Sequence, residues 1–583
     1  MTHKIEMKSS SQKRKNCKIH SSLGTLGVGL GLFLGIACAP LTAWSKDYTW
    51  DGADDNWNSA HWISSGTSGN DTYTIASGSV TKRDILILKD ATVNLCGGTL
   101  NNGWDVRLSN VEFNMTSGAW NNEHYVAIGR DANSTSEVII SGGIADFDGG
   151  DLSFGHDSNA KGILTIKENA EVNIHYPVDI GAVSGAYGFL NIEGGTVNFG
   201  GHIYVGSRGT GELNISGGEI TFSDSKKFYV GNESGSTGVV NIKPGAEVTF
   251  NTSTLQVGYK GEGTINVSGG EVTFEGTSDA SFAKGGDSMG NMIVTGGKVT
   301  FNNKKSSGET RTVFGNDGGK GAFTLSGGEV TVNNKLDMGW GSGTASLNIV
   351  GSNVVLTADS MNVNNKSSAN FKADENGFST VNVTGTATIS GNVTAGLGEA
   401  SAIMTTSSTL LSANSLTVSD TNLVSNSLWN ITKDGNSIVA TLKDDNKIGI
   451  VNLANSISTL DFDATPLGWV GFQNANSSEK YALQLQFSGS DSLDDWNLLT
   501  DYYAELFDQY DSSENEETKT FTLFGLSLDD DSAFLWDLAS YDATMPYALT
   551  GITSLDSNAV PEPATWAMLV IGVGVLVLGR RKR

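Results

Sequence analysis

Residues 213–222 read Leu213-Asn214-Ile215-Ser216-Gly217-Gly218-Glu219-Ile220-Thr221-Phe222, and residues 265–274 repeat the phrase as Ile265-Asn266-Val267-Ser268-Gly269-Gly270-Glu271-Val272-Thr273-Phe274. Apolar and polar residues alternate on both sides of a Gly-Gly pair, the period-two signature of two short strands meeting at a corner. The apolar residue closing the first strand recurs at Ile140, Ile166, Ile192, Ile215, Ile242, Val267, Val294, Leu325 and Ile349, in steps of 26, 26, 23, 27, 25, 27, 31 and 24 residues. A further short strand ending in glycine precedes many of these phrases, as in His202-Ile203-Tyr204-Val205-Gly206 and Phe228-Tyr229-Val230-Gly231. Three short strands and three corners in about 25 residues make one coil of a parallel β-helix.

In such a coil Leu213, Ile215, Ile220 and Phe222 point inward and stack on their equivalents, while Asn214, Glu219 and Thr221 face out. The Gly-Gly pairs supply backbone angles that residues bearing a Cβ resist. Roughly a dozen coils at ~4.8 Å each predict a rod on the order of 55 Å long, right-handed as three-strand coils commonly are. Its ends need caps, because open coils are exposed strand edges.

The repeats place boundaries along the chain. Residues 46–84 read as an N-terminal cap, 85–390 as the β-helix, 391–454 as an irregular β extension, and 455–557 as a smaller β-rich domain. Within the extension, Trp429 to Leu442 reads as a hairpin around Asp434-Gly435. Within the last domain, one helix is expected over Leu493 to Tyr510, followed by a polar loop from Asp511 to Lys519.

Composition agrees with an ordered array. Of 583 residues 73 are glycine, 17% are charged and 38% hydrophobic, with 12 Trp and 23 Phe to fill cores, which excludes wholesale disorder. The formal charge is −26, and both ends are basic. Without the leader's five net positive charges and the four of the tail it becomes −35. A surface so acidic repels nucleic acid and anionic lipid and attracts cations. Cys17 and Cys38 lie in the leader, so Cys96 alone remains and supports no disulfide framework.

Residues 1–45 combine a basic segment (Lys13, Arg14, Lys15, Lys18), an apolar stretch from Leu23 to Ala39, and Ala43-Trp44-Ser45 as a small-x-small cleavage site. This is the pattern of a secretory signal peptide, with a retained signal anchor and lipidation at Cys38 as the alternatives. The other end reads Val560-Pro561-Glu562-Pro563-Ala564-Thr565-Trp566, then an apolar run through Met568 to Gly579, then Arg580-Arg581-Lys582-Arg583. That run is shorter than the ~20 residues that span a bilayer comfortably, and the terminal cations hold its end at the cytoplasmic face, so transient membrane insertion as a helix is expected.

The order Pro-Glu-Pro, short membrane helix, Arg-rich tail resembles the PEP-CTERM sorting signal of Gram-negative bacteria. The resemblance implies that an exosortase, a membrane-embedded thiol transpeptidase, recognises Pro561, Glu562 and Pro563, removes the tail with Arg580, Arg581, Lys582 and Arg583, and releases or attaches the protein outside the cell. The Gly-Gly repeats, together with the opening Tyr48-Thr49-Trp50-Asp51-Gly52, resemble the passenger regions called autotransporter-associated β-strand repeats. The chain departs from true autotransporters by ending in a sorting signal where they carry a membrane barrel.

Chemistry-bearing motifs are sparse. Gly286-Asp287-Ser288-Met289-Gly290 matches a nucleophile elbow, but that device needs a helix after the serine and here falls at a solenoid corner. Gly206, Gly209 and Gly211 form a Gly-rich loop without a helix to receive a phosphate. His124, His156, His175 and His202 lack metal-site spacing. Asp146, Asp148 and Asp151 are the candidate carboxylates of a glycan-cleaving site, since inverting hydrolysis needs two roughly 6.5 to 9.5 Å apart. Glu219, Glu247, Glu271 and Glu329 share one outward position with Lys298 in the same row, a weak candidate for a divalent cation such as Ca2+. Tyr204, Tyr229, Tyr259 and Trp340 are candidates for a shallow sugar-binding face.

The expected function is a secreted, exosortase-sorted, noncatalytic structural or adhesive protein of the cell surface or extracellular matrix, with an exosortase and extracellular polysaccharide as partners and no nucleic acid. The alternatives are a polysaccharide-degrading β-helix lyase or glycosidase and a carbohydrate-binding adhesin.

Overall fold

The computed structural model describes residues 46–442, apart from 59–61, 67–70, 224–225, 375, 398–401, 404–406 and 426–428, and beyond them a set of strands between 448 and 555. The leader, residues 493–508 of the expected helix, the Pro561-Glu562-Pro563 motif, the apolar run and the basic tail lie outside the described residues.

The fold is an all-β parallel solenoid of about 14 turns. Its regular part shows how the repeats stack. Thr210–Ile215 pairs in parallel with Thr237–Ile242, Glu219–Phe222 with Glu247–Thr252, and Lys227–Val230 with Thr254–Val257. The same pairings continue up and down the chain as three parallel ladders, here called first, second and third in that order. At ~4.8 Å per rung the rod is on the order of 65 Å long.

Alternation within each strand decides what is buried. Leu213, Ile215, Ile220 and Phe222 are buried, and Asn214, Glu219 and Thr221 stand on the outside. Inward residues of one position stack along the axis, the clearest case being Phe199, Phe222, Phe250, Phe274 and Phe301, with ring centroids 5.2, 4.7, 5.1 and 4.8 Å apart and nearly parallel planes. Offset stacking of this kind adds to burial.

The corner after each third-ladder strand demands a left-handed backbone. Gly206 has φ +68°, and a Cβ there would lie 2.3 Å from the carbonyl oxygen of Thr237 on the next coil. Gly155, Gly181, Gly231, Gly258 and Gly315 adopt the same φ at the equivalent step, and Ala283 takes that place with φ +62°.

Both ends of the described rod turn antiparallel. Lys46–Trp50 pairs antiparallel with Trp62–Gly66 and parallel with Asp71–Ile75, with Trp50 and Trp57 buried and Tyr48 stacked on Tyr73 at 5.0 Å. At the other end Ser407–Val418 receives Ser437–Leu442 antiparallel, which itself pairs with Trp429–Asp434 in a hairpin turning at Gly435. A chain that reverses direction covers the edge that a parallel coil would leave open.

The ladders run past residue 390, where the Gly-Gly phrase ends. Asn392–Leu397 and Ser407–Val418 still pair in parallel with Ser368–Ala373 and Val381–Ile389, because their apolar alternation persists without the glycines. Farther on, Gln509–Glu514 and Thr518–Leu526 form an antiparallel pair where a polar loop was expected, in a register that sets Glu514 opposite Lys519. Among the described residues no helix is long and apolar enough to cross a membrane.

Candidate functional site

The outward positions of the second ladder form two ranks. Glu219, Glu247 and Glu271 stand in register, followed by Lys298 and Glu329, and beside them run Thr221, Thr249, Thr273, Thr300 and Thr331. Lys298 Nζ lies 3.2 Å from Glu271 Oε1, relieving the like charges at one end of the rank. The glutamates and threonines of three rungs line a concavity of about 870 Å3. Among the described residues no group of three or more His, Cys, Asp or Glu side chains is disposed to hold a metal ion.

The three candidate aspartates have different partners. Asp146 accepts a hydrogen bond from Asn173 Nδ2 at 2.7 Å, within an amide row that continues with Asn198 Nδ2 donating to Asn173 Oδ1 at 2.7 Å. Asp148 lies 3.1 Å from His175 Nε2. Asp151 immediately precedes the third-ladder strand Leu152–Phe154, and burial pushes its carboxyl above the ordinary range. Its neighbour in effect is Asp179, the outward residue of Val178–Ile180, whose carboxyl is pushed up by burial and by Asp151, against a hydrogen bond from Ser207 and the charge of Arg208. Asp179 carries no motif and reads in sequence as an ordinary outward polar residue.

Above Asp179 in the same row come Tyr204 and Tyr229. Tyr204 and Tyr229 lie 5.6 Å apart, and Tyr229 and Tyr259 stack at 5.3 Å with planes 19° apart. Tyr204 is thus tilted against Tyr229 and Tyr229 stacked on Tyr259, and all three stay half-buried on the outside of the rod. Burial and the Asp179 and Asp151 charges raise the Tyr204 hydroxyl pKa.

The histidines are individually engaged. His124 pairs with Asp105 and stacks on Trp104 at 5.2 Å, and His202 Nδ1 accepts the backbone N–H of Lys227 at 3.0 Å. His156 meets the Tyr125 ring edge-on at 5.8 Å, and burial followed by Arg130 lowers its pKa. Burial pushes the Tyr125 hydroxyl up to about 12, and that buried oxygen lies near Ser153 without completing a hydrogen bond. Ser288, the nucleophile-elbow serine, is buried and donates to the Gly285 carbonyl at 2.8 Å, after which a strand begins at Met289. Gly206, Gly209 and Gly211 likewise lead into a strand, Thr210–Ile215.

A cluster of which the sequence singled out only Trp340 lies farther along the third ladder. The Arg311 guanidinium sits 3.8 Å over the Trp340 ring, and its Nε and Nη2 reach Glu309 Oε2 at 3.0 and 2.6 Å. Beneath them Asp337 has no exposed surface, and Arg311 Nε lies 3.1 Å from its Oδ2 without the alignment of a hydrogen bond. Trp340 itself is 39% exposed.

On the first ladder the outward amides bond to one another in series. Asn214 Nδ2 donates to Asn191, Asn241 to Asn214 and Asn266 to Asn241, at 2.9, 2.8 and 2.8 Å. Side chains that satisfy each other along the axis stiffen a surface.

Comparison with known proteins assigns one end of the chain. Residues 559–583 match the PEP-CTERM protein-sorting motif. No curated protein and no solved structure matches the chain. The solenoid is therefore carried by a chain whose C-terminal segment is similar to a known sorting signal, and that signal indicates an exported, exosortase-sorted surface protein.

Proposed function

We propose that the protein is a noncatalytic rod that serves as a structural or adhesive component of the cell surface or extracellular matrix, built of right-handed coils of three strands. Pro561, Glu562 and Pro563 act as substrate for the exosortase, and the apolar run after them holds the chain in the membrane until it is processed. The observation that carries this reading is the series of side-chain hydrogen bonds linking the carboxamides of Asn191, Asn214, Asn241 and Asn266 across successive coils. It is a surface organised to be stiff and repetitive, suited to many weak contacts along one axis.

The test is the C-terminal peptide of the protein recovered from its host, identified by mass spectrometry. A chain ending near Pro563, bare or carrying an added group, supports sorting and a released or matrix-linked role. Recovery of the intact run through Arg583 would replace this reading with a membrane-tethered protein.

One observation favours a second reading, a polysaccharide-degrading enzyme: two carboxyls on neighbouring coils, Asp151 and Asp179, are both raised. Reducing-end release from acidic and neutral glycans, abolished in Asp179→Asn, would establish it.

A further inference from the structure

An indole left in water is usually part of an apolar patch or is idle. Trp340 is neither. Among the described residues from Met289 onward the other exposed large apolar side chains, Met289, Ile293, Val355 and Val424, stand on the first and second ladders, so none shares the third-ladder face with Trp340 in that part of the rod. Its surroundings are polar: Arg311 on one face of the ring, Glu309 and Lys335 joined at 3.5 Å, and Asp317, whose backbone N–H bonds the Trp340 carbonyl at 3.2 Å.

The ring is also held. Arg311 is fixed by Glu309 on one side and by the buried Asp337 on the other, so it covers one ring face from a set position. Asp337 is buried at a desolvation cost that a solvated position would avoid. Among the described residues no second ring or cation stacks on the opposite face.

We propose that Trp340 is a binding anchor for a neutral polysaccharide, one pyranose ring stacking its C–H face on the open side of the indole while its hydroxyls meet the polar rim. A solitary flat apolar surface ringed by hydrogen-bonding groups matches the amphipathic face of a sugar. It does not match a protein interface, which buries a contiguous apolar core. The net negative charge of the chain favours neutral over anionic glycans. Holding the ring in advance lowers the ordering cost of binding. This inference goes beyond the rod reading and is independent of C-terminal sorting.

The test uses the purified full chain and three probes, cellohexaose, chitohexaose and laminarihexaose, titrated by calorimetry, with sedimentation of the same samples. At least one probe is expected to bind. Trp340→Ala should then weaken it tenfold or more, Trp340→Tyr should recover most of the affinity, and Tyr187→Ala, which removes an exposed aromatic from the first ladder, should change nothing. The proposal is overturned if none of the probes binds, or if Trp340→Ala binds like the parent. It is also overturned if Trp340→Ala abolishes self-association in the absence of glycan, which would make a second copy of the chain the occupant.

Discussion

Arg311 Nε lies 3.1 Å from a carboxylate oxygen of Asp337, a side chain with no exposed surface. Burial pushes the Asp337 carboxyl above its ordinary range, and Lys335 and Arg311 oppose the shift. The folded chain therefore holds this proton more tightly than the unfolded chain. The contribution of Asp337 to stability accordingly improves as pH falls through its raised pKa and worsens as pH rises. Arg311→Met strands the carboxylate and should cost roughly 3 kcal/mol at pH 7.5. The deficit should be smaller at pH 5 than at pH 7.5, because falling pH favours the neutral carboxyl, which needs no counter-charge. Urea midpoints of parent and variant at the two pH values check this, and an equal deficit at both would show that the charge of Arg311 is not what matters.

The phenylalanine stack should be the most sensitive part of the core. Phe250 contacts Phe222 and Phe274 along the axis and meets Phe228 edge-on at 4.9 Å. Phe250→Ala removes all three ring contacts and leaves a cavity, at a cost of roughly 4 kcal/mol, with Phe250→Leu losing less than half of that. In a solenoid each coil leans only on its neighbours. Amide hydrogen exchange should therefore accelerate first in the coils between Glu219 and Gly276, and uniform acceleration from Asp71 to Val418 would contradict that locality.

Lys298 interrupts a rank of glutamates at an exposed position, so its pair with Glu271 is worth at most about 1 kcal/mol. Reversing its charge turns relief into repulsion from both Glu271 and Glu329, its partners in register. Lys298→Glu should lower the melting temperature at low ionic strength and recover most of the loss in 0.5 M NaCl. A loss that salt leaves untouched would point to packing of the lysine stem instead.

The repeating phrase around Gly217-Gly218 made the coil, its inward residues and the Glu219, Glu247, Glu271, Lys298 rank legible in the sequence, because Glu219, Glu271 and Lys298 each follow a glycine pair and the alternation around Val248 and Phe250 marks Glu247, where Gly245-Ala246 takes the place of the pair. Pairing across the axis was not legible in the same way. Arg311 and Asp337 are brought together only by the register of Arg311–Asn316 against Gly328–Trp340, after the longest step in the repeat, 31 residues, had blurred the count. Tyr204 and Tyr229 were visible as outward aromatics. That the two rings meet at a tilt follows from ring orientation, on which alternation is silent. The rod's continuation through Asn392–Leu397 went unread for the opposite reason, since the alternation was present and its glycine punctuation was not.

Ala283 offers a test of the corner itself. At the equivalent step Gly206, Gly231, Gly258 and Gly315 have φ between +68° and +69°, and Ala283 is held at +62°. An alanine there brings its Cβ toward the following carbonyl, at a cost of roughly 1 to 2 kcal/mol relative to its preferred backbone. Glycine pays no such strain but loses more freedom on folding, which returns about half of the gain. Ala283→Gly should therefore stabilise the rod by roughly 0.5 to 1 kcal/mol, seen as a higher urea midpoint with an unchanged slope. Gly258→Ala, one coil earlier, should do the reverse and by more, because a Cβ there would lie 2.0 Å from the Met289 carbonyl oxygen and force that strand to shift. If Ala283→Gly destabilises the protein, the buried methyl group contributes more to packing than the left-handed backbone costs, and the corner is held by its contacts instead of by its torsion angles.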